Sequence, residues 1–166
     1  MWTTATPFES GGSVADIWLT LSYAVLVSIG IAQSYVDIKT HRVYVAVTHV
    51  AGVWAFVTLT VHALMIGEDD AIVRMAVSAL VLWAGFHVLA RTSAESVGYG
   101  DVRLAPVIGL ALGYLSYASV VTGVLAMTLI GATWAIIAML WHGKSARVPY
   151  VPAIYGGLVI ALATQG

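Results

Sequence analysis

The sequence predicts an all-α polytopic membrane protein, a bundle of six transmembrane helices with both termini outside the cytoplasm. The first observation is composition: of 166 residues, 60% are hydrophobic and 9% are charged, and the mean hydropathy is +0.93. A soluble domain carries about 25% charged residues, so this chain could not cover a surface facing water. The other two observations are a series of long apolar segments and an uneven distribution of basic residues between them.

Six apolar segments have the composition of transmembrane helices, which need about 20 residues to cross the bilayer core. The fourth and sixth segments are short. The turn between the fourth and fifth rests on Gly113 and Ser116, and without that turn the count would be five. In chain order the predicted spans are Ile17–Val36, Val43–Ile66, Ala71–Ala90, Val102–Tyr117, Ser119–Trp141 and Tyr150–Thr164. A short extracytoplasmic tail, residues 1–16, is expected to precede a membrane domain of residues 17–166.

The basic residues predict the orientation. With six spans, one side holds Lys39, Arg42, Arg91, Arg103, Lys144 and Arg147. The other side holds Arg74 together with Glu9, Asp16, Glu68, Asp69 and Asp70. The positive-inside rule assigns the first side to the cytoplasm, which places both Asp37 and Asp101 at the cytoplasmic face. Residues 1–16 contain no Lys or Arg and so lack the basic region of a signal peptide, and the first span is expected to stay in the protein.

Composition also excludes several kinds of chemistry. The sequence contains no cysteine, which excludes disulfides, thiolate metal sites and a cysteine nucleophile. The net charge of −1 gives no electrostatic footprint for nucleic acid. The five histidines show no ligand spacing with each other or with a carboxylate, so neither a metal nor another cofactor is expected.

The run Gly98-Tyr99-Gly100-Asp101 opens the fourth predicted span. In a soluble protein such a run is most simply a helix start, because Asp is a favoured N-cap and Gly allows the turn. At a membrane edge a carboxylate is costly, and its presence indicates chemistry. Asp37 follows the first span, and taken alone it is an ordinary loop charge, solvated or paired with a neighbouring basic residue.

Two aspartates on one membrane face could form an acid/base pair. Like charges a few ångströms apart cannot both ionise, so such a pair holds one proton and titrates as a unit. The ionised carboxylate takes a proton from water, and the protonated one polarises the scissile amide. Neither a covalent intermediate nor a metal is required. The sequence does not decide which aspartate has which role.

Three elements in this order resemble the type IV prepilin peptidase family, which includes the archaeal preflagellin peptidases and belongs to the GxGD aspartic membrane proteases. They are Asp37 with Val43 six residues later, the run GYGDVRL, and the run VPYVPA at residues 148–153. The resemblance implies a protease of the cytoplasmic membrane whose catalytic residues match Asp37 and Asp101. Gly98, Gly100 and Arg103 would support them. Such an enzyme cuts the leader, after a Gly, from pilin-like or archaellin-like precursors at the cytoplasmic face.

The chain departs from that family in three respects. Val43-Tyr44-Val45 stands where most members have Ile-Pro-Asn, and Arg103 replaces the commoner Lys. Many bacterial members also carry an N-terminal domain with two Cys-x-x-C pairs and an N-methyltransferase activity. The cysteine-free chain resembles the short, peptidase-only branch instead, and we expect cleavage without methylation.

Five further residues are candidate substrate contacts near the proposed site: Lys39, Arg42, Tyr99, Pro149 and Pro152. Basic residues at span ends more commonly fix topology, and proline at a helix start has its own explanation. The loop from Thr92 to Gly100 is the natural mobile element.

Small residues on the fourth and sixth spans predict close helix packing. Gly109 and Gly113 have a small-xxx-small spacing, and Gly156 and Gly157 are adjacent. We expect them to serve packing around the Asp101 helix rather than dimerisation. The oligomeric state is left open by the sequence.

Two other functional classes remain as alternatives. In a small proton- or cation-coupled transporter or channel subunit, Asp37 and Asp101 would bind the ion, although such sites usually lie near the membrane midplane. In an inactive scaffold both aspartates would be loop charges. The presenilin-like branch of GxGD proteases places its first aspartate in a Tyr-Asp context, which Val36-Asp37 does not match.

Overall fold

The computed structural model describes residues 13–40, 42–92, 98–142 and 149–165. All regular structure in these ranges is α-helical, which confirms the predicted all-α class. The six helices are α1 (Val14–Thr40), α2 (Val45–Ile66), α3 (Asp69–Thr92), α4 (Tyr99–Leu115), α5 (Tyr117–His142) and α6 (Val151–Ala163). Several predicted features lie outside the described residues: most of the tail 1–16, Lys144, Arg147 and most of the loop from Thr92 to Gly100.

Four helices, α1, α2, α3 and α5, are long and apolar enough to cross a membrane. The other two are shorter, with 17 residues in α4 and 13 in α6. The long apolar helices indicate a multi-pass membrane protein.

Two helix boundaries differ from the prediction in ways that change where the aspartates lie. Helix α1 does not end at Val36 but continues to Thr40, because the intervening residues include no Pro or Gly to stop it. Asp37 therefore lies within the last turn of α1. Helix α4 begins at Tyr99 with Gly98 as its N-cap, so Asp101 is the third helical residue and not the residue before the helix.

The turn between α4 and α5 exists as predicted and consists of a single residue. Ser116 has φ −174° and ψ 165°, an extended conformation that ends α4, and α5 begins at the next residue. Gly113 takes no part in the turn; it lies inside α4.

Helix α4 is the centre of the bundle. It packs against α2, α3, α5 and α6, while α1 packs against α2 and α6. Twelve of its 17 residues are buried, including Asp101 at its start and Leu115 at its end. A helix that is apolar on most sides is covered by other helices or by lipid, and in α4 other helices supply most of that cover.

Glycines bring the helix backbones into direct contact, as their spacing predicted. A Cβ atom added to Gly109 would lie 2.5 Å from Cα of Ala79, and one added to Gly113 would lie 2.6 Å from Oγ of Ser78, both on α3. On α6, a Cβ at Gly157 would lie 2.5 Å from the carbonyl oxygen of Gly123 on α5. Contacts this short leave no room for a side chain, so these glycines set the packing of α3, α4, α5 and α6.

Side chains of other helices bond the carbonyl groups at the C-terminal end of α4. Arg74 of α3 donates through Nε to the carbonyl of Gly113 at 2.8 Å and through Nη2 to that of Tyr114 at 2.7 Å. The Tyr23 hydroxyl of α1 donates to the carbonyl of Ala111 at 2.6 Å. The last carbonyls of a helix have no partner within the helix, and a cation near them also interacts favourably with the helix dipole.

Candidate active site

The carboxyl group of Asp37 lies at the start of α6. Its side chain is buried, 6% exposed, and Oδ2 accepts a hydrogen bond of 3.1 Å from the backbone N–H of Val151, the first residue of α6. The first N–H groups of a helix have no partner within the helix and favour negative charge. The Asp37 carboxylate therefore connects the last turn of α1 to the first turn of α6.

Asp101 is held by the first turn of its own helix. It is also buried, 7% exposed, and its Oδ2 accepts a hydrogen bond of 3.1 Å from the backbone N–H of Gly98. The Gly98 carbonyl in turn accepts the backbone N–H of Asp101 at 3.0 Å. The bond from the Gly98 N–H to the Asp101 carboxylate is the side-chain half of a capping box that residue N3 supplies, and it fixes the carboxyl group over the N-terminus of α4.

The two carboxyl groups are close enough to interact electrostatically. Asp101 lies in the first turn of α4, which is not among the four helices long and apolar enough to cross a membrane. Its pKa is raised to about 7: burial is the largest cause, the hydrogen bond from the Gly98 N–H opposes it, and the charge on Asp37 adds to it. Near neutral pH the Asp101 carboxyl group thus readily holds a proton next to a second carboxyl group.

Gly100 lets the segment before α2 approach the aspartate turn. A Cβ atom at Gly100 would lie 2.8 Å from Cγ2 and 2.9 Å from Cβ of Val43. The branched carbon of Val43 cannot swing away as the end of a long side chain would. A larger residue at position 100 would therefore push the segment 42–44 off the turn that carries Asp101.

Tyr150 is a site residue that the sequence analysis did not single out. It precedes α6, and its ring packs on Gly131 of α5, where a Cβ atom would lie 2.8 Å from Cζ and 2.9 Å from the hydroxyl oxygen. Tyr150 is half-buried and directly precedes Val151, whose N–H donates to Asp37. Its place between Pro149 and Pro152 was the available signal, since both prolines constrain the backbone that presents it.

The other predicted residues lie around this core. Arg42, Tyr99 and Arg103 are exposed. Lys39 is exposed as well, with Nζ 5.8 Å from the ring centre of Tyr35 on the outer side of α1. None of these side chains is among the buried groups of the site.

The two prolines lie on the α6 side of the site. Pro149 and Pro152 are half-buried. Pro152 lines a groove between α1 and α6, together with Ile38 and Val159. Ile38 and Pro152 each follow a residue of the Asp37–Val151 hydrogen bond, so one end of this groove lies near the same ends of α1 and α6. Within the described ranges, no group of three or more His, Asp or Glu side chains is placed to hold a metal ion.

Comparison with known families bears on what this pair of carboxylates does. A family model described as the type IV leader peptidase family matches residues 24–140, well over half of the chain. The chain belongs to the type IV leader peptidase family. The match includes Asp37, Asp101 and Gly98 to Arg103, and it ends within α5.

Membership in the leader peptidase family confirms the resemblance found in the sequence. It identifies the chain as a protease-family protein with a leader-peptidase-like function. Comparison with curated proteins and with solved structures gives no significant match.

Proposed function

We propose that this protein is a membrane aspartic endopeptidase that removes the leader peptide of type IV pilin-like or archaellin-like precursors, without N-methylation of the product. The observation that carries the proposal is that two carboxyl groups, Asp37 and Asp101, are buried, interact electrostatically and are each bonded to an N–H group at the start of a helix. Buried carboxylates are costly beside a bilayer, and a pair that shares a proton is suited to amide hydrolysis.

In the proposed mechanism Asp37 and Asp101 share one proton and hold the attacking water between them. The ionised carboxylate removes a proton from the water as its oxygen bonds to the scissile carbonyl carbon. The protonated carboxyl group donates its proton to the carbonyl oxygen, which gives a tetrahedral gem-diol. The carboxyl group that took the water proton then passes it to the leaving nitrogen as the C–N bond breaks, and the other carboxylate takes one proton back from the gem-diol. The products are a free leader carboxylate and a new amino terminus. No covalent enzyme intermediate forms.

The proposed topology has six membrane spans in residues 17–166, both termini outside and the carboxyl pair at the cytoplasmic face. The precursor's apolar segment would dock laterally, with the extended leader junction reaching the carboxylates. The groove between α1 and α6 supports this arrangement, because its Ile38 and Pro152 end adjoins Asp37 and Val151. The exposed Lys39, Arg42 and Arg103 would lie on the side from which the leader arrives.

Co-expression with a type IV pilin-like precursor tests the proposal. We expect leader removal by the wild type and its loss in both Asp37→Asn and Asp101→Asn, with unchanged membrane levels. Asp70→Asn is the matched control, since Asp70 is an exposed carboxylate in the first turn of α3 and on the opposite side in the proposed topology. Its cleavage should equal that of the wild type.

The mass of the mature product tests the absence of N-methylation separately from leader cleavage. A mature product without an added methyl group supports a peptidase-only enzyme, and a product heavier by one methyl group contradicts it. Cleavage that survives either Asp→Asn change would rule out the aspartyl pair. Absence of cleavage by the wild type across bacterial and archaeal precursors would favour the transporter alternative.

A further inference from the structure

A buried amide side chain lies one helical turn before Asp37. Gln33 is four residues earlier on α1 and therefore on the same face of the helix, and its side chain is 3% exposed. Its Oε1 atom has no hydrogen-bond partner among the described residues. An unsatisfied buried acceptor destabilises the folded protein. An apolar side chain would avoid that cost, so the retained amide requires an explanation.

The other end of the amide reaches a second helix. Gln33 Nε2 donates to Oγ1 of Thr48 at 3.2 Å, and Thr48 Oγ1 donates to the carbonyl of Tyr44 at 3.3 Å. A hydroxyl group has one hydrogen and two lone pairs, so Thr48 can accept and donate at once. Because Tyr44 is the N-cap residue of α2, this chain of hydrogen bonds ties α1 to the backbone just before α2.

That backbone in turn contacts the turn that carries the other aspartate. Val43 precedes Tyr44 and packs directly on Gly100, the residue before Asp101. One continuous path thus runs from the α1 turn of Asp37 through Gln33 and Thr48 to the turn of Asp101. Its two hydrogen bonds fix the position of Tyr44, and with it Val43, relative to α1.

We propose that Gln33 and Thr48 are positioning residues that hold the segment 42–44 against the Gly98–Asp101 turn and so set the separation of the Asp37 and Asp101 carboxyl groups. The expected effect on kcat rests on the proposed proteolytic function. The expected effect on the position of the segment 42–44 does not. A shift of about 1 Å in a catalytic group can cost about 100-fold in rate, so the kinetic effect falls on kcat.

Gln33→Leu separates positioning from a merely structural role. Leu fills a similar volume and removes both the amide donor and the unpartnered Oε1, so the melting temperature should stay unchanged or rise. We expect kcat for leader cleavage to fall about 10- to 100-fold with KM unchanged. A fall in activity accompanied by a matching loss of thermal stability would overturn the proposal.

Thr48→Val supplies the second half of the test. Cleavage should fall as in Gln33→Leu, and the double variant should lose no more than either single variant, because both act through one hydrogen bond. Thr58→Val is the matched control. Thr58 is buried in the same helix, and its hydroxyl bonds only the carbonyl of Trp54 one turn earlier. Additive losses, or an equal loss in Thr58→Val, would contradict the proposed path.

A distance measurement decides the structural part without any substrate. The chain contains no cysteine, so spin labels at Tyr44→Cys and Arg103→Cys, two exposed positions, need no background substitutions. We expect one narrow distance distribution with Gln33 and a broad or shifted one with Gln33→Leu. An unchanged distribution overturns the positioning role even if both aspartates prove essential for cleavage. If no precursor is cleaved, the label distances still decide the role of Gln33 while the proteolytic proposal fails separately.

Discussion

Replacing Arg74 with Met should destabilise the protein strongly, because Arg74 bonds the C-terminal carbonyls of the central helix. Two charged hydrogen bonds, at 2.8 and 2.7 Å to Gly113 and Tyr114, would be lost, and two carbonyls would be left without a donor. Each hydrogen bond to a charged group contributes about 1.5–3 kcal/mol, although interhelical bonds in membranes average nearer 0.6 kcal/mol. We expect a loss of about 2–4 kcal/mol in the free energy of unfolding.

The neighbouring ion pair does not account for this loss. Arg74 Nη2 lies 3.9 Å from a carboxylate oxygen of Glu68, whose side chain is 60% exposed, so that pair contributes little. Topology does not account for it either. In the proposed orientation Arg74 is a positive charge on the outer side, and removing it would reinforce the positive-inside distribution.

Unfolding of purified protein in mixed micelles, followed by circular dichroism, measures the loss. Arg91→Met is the matched control, since Arg91 is an exposed arginine in the last turn of the same helix. Its effect should stay within about 0.5 kcal/mol. Equal unfolding transitions for Arg74→Met and Arg91→Met would refute the capping role assigned to Arg74.

Two more outcomes follow from the packing and from the site. Gly109→Ala should lower the melting temperature, because its Cβ would meet a backbone atom of Ala79 at 2.5 Å, whereas Gly85→Ala in open space on α3 should leave it unchanged or raise it. Similar shifts in both variants would contradict close α3–α4 packing. With the pKa of Asp101 raised to about 7, the pair loses its shared proton above that pH, and leader cleavage should fall about tenfold per pH unit. The folded state binds this proton more tightly than the unfolded state, so the stability of the wild type falls as pH rises towards 7. Relative to the wild type, Asp101→Asn should therefore stabilise the protein more at pH 8 than at pH 5. A cleavage profile that is flat up to pH 9 would contradict this assignment.

The sequence predicted helices well because apolar segments of membrane length leave few other structures. It also predicted the closely packed glycines of α4, since only small residues at that spacing permit backbone contact. It misjudged where helices begin and end around Asp37 and Asp101. The end of α1 carries Asp37, whose hydrogen-bond partner Val151 lies 114 residues away. The start of α4 is set by local bonds between Gly98 and Asp101, which the span boundary at Val102 left out.

Hydrogen-bond partners that depend on tertiary packing could not be predicted from the sequence. In the sequence, Arg74 was interpreted only as a charge on one side of the membrane. No neighbouring residue indicated that it bonds the carbonyl of Gly113, 39 residues later in the chain. Gln33 lies among polar residues near the end of α1, and nothing in the sequence indicated that it bonds Thr48 of α2.

The shortness of α4 and α6 makes the surrounding lipid part of the proposed chemistry. Helices of 17 and 13 residues rise about 25 and 20 Å, less than the roughly 30 Å of a typical hydrocarbon core. α5, which shares the Ser116 turn with α4, rises about 39 Å over its 26 residues. In the proposed topology the starts of α4 and α6, which hold the two carboxylates, lie below the level reached by the long helices. The bilayer must thin there or admit water from the cytoplasm, which is the water that hydrolysis consumes. The acyl-chain length of the lipids in reconstituted vesicles should therefore change the turnover rate, even in the protein without any substitution.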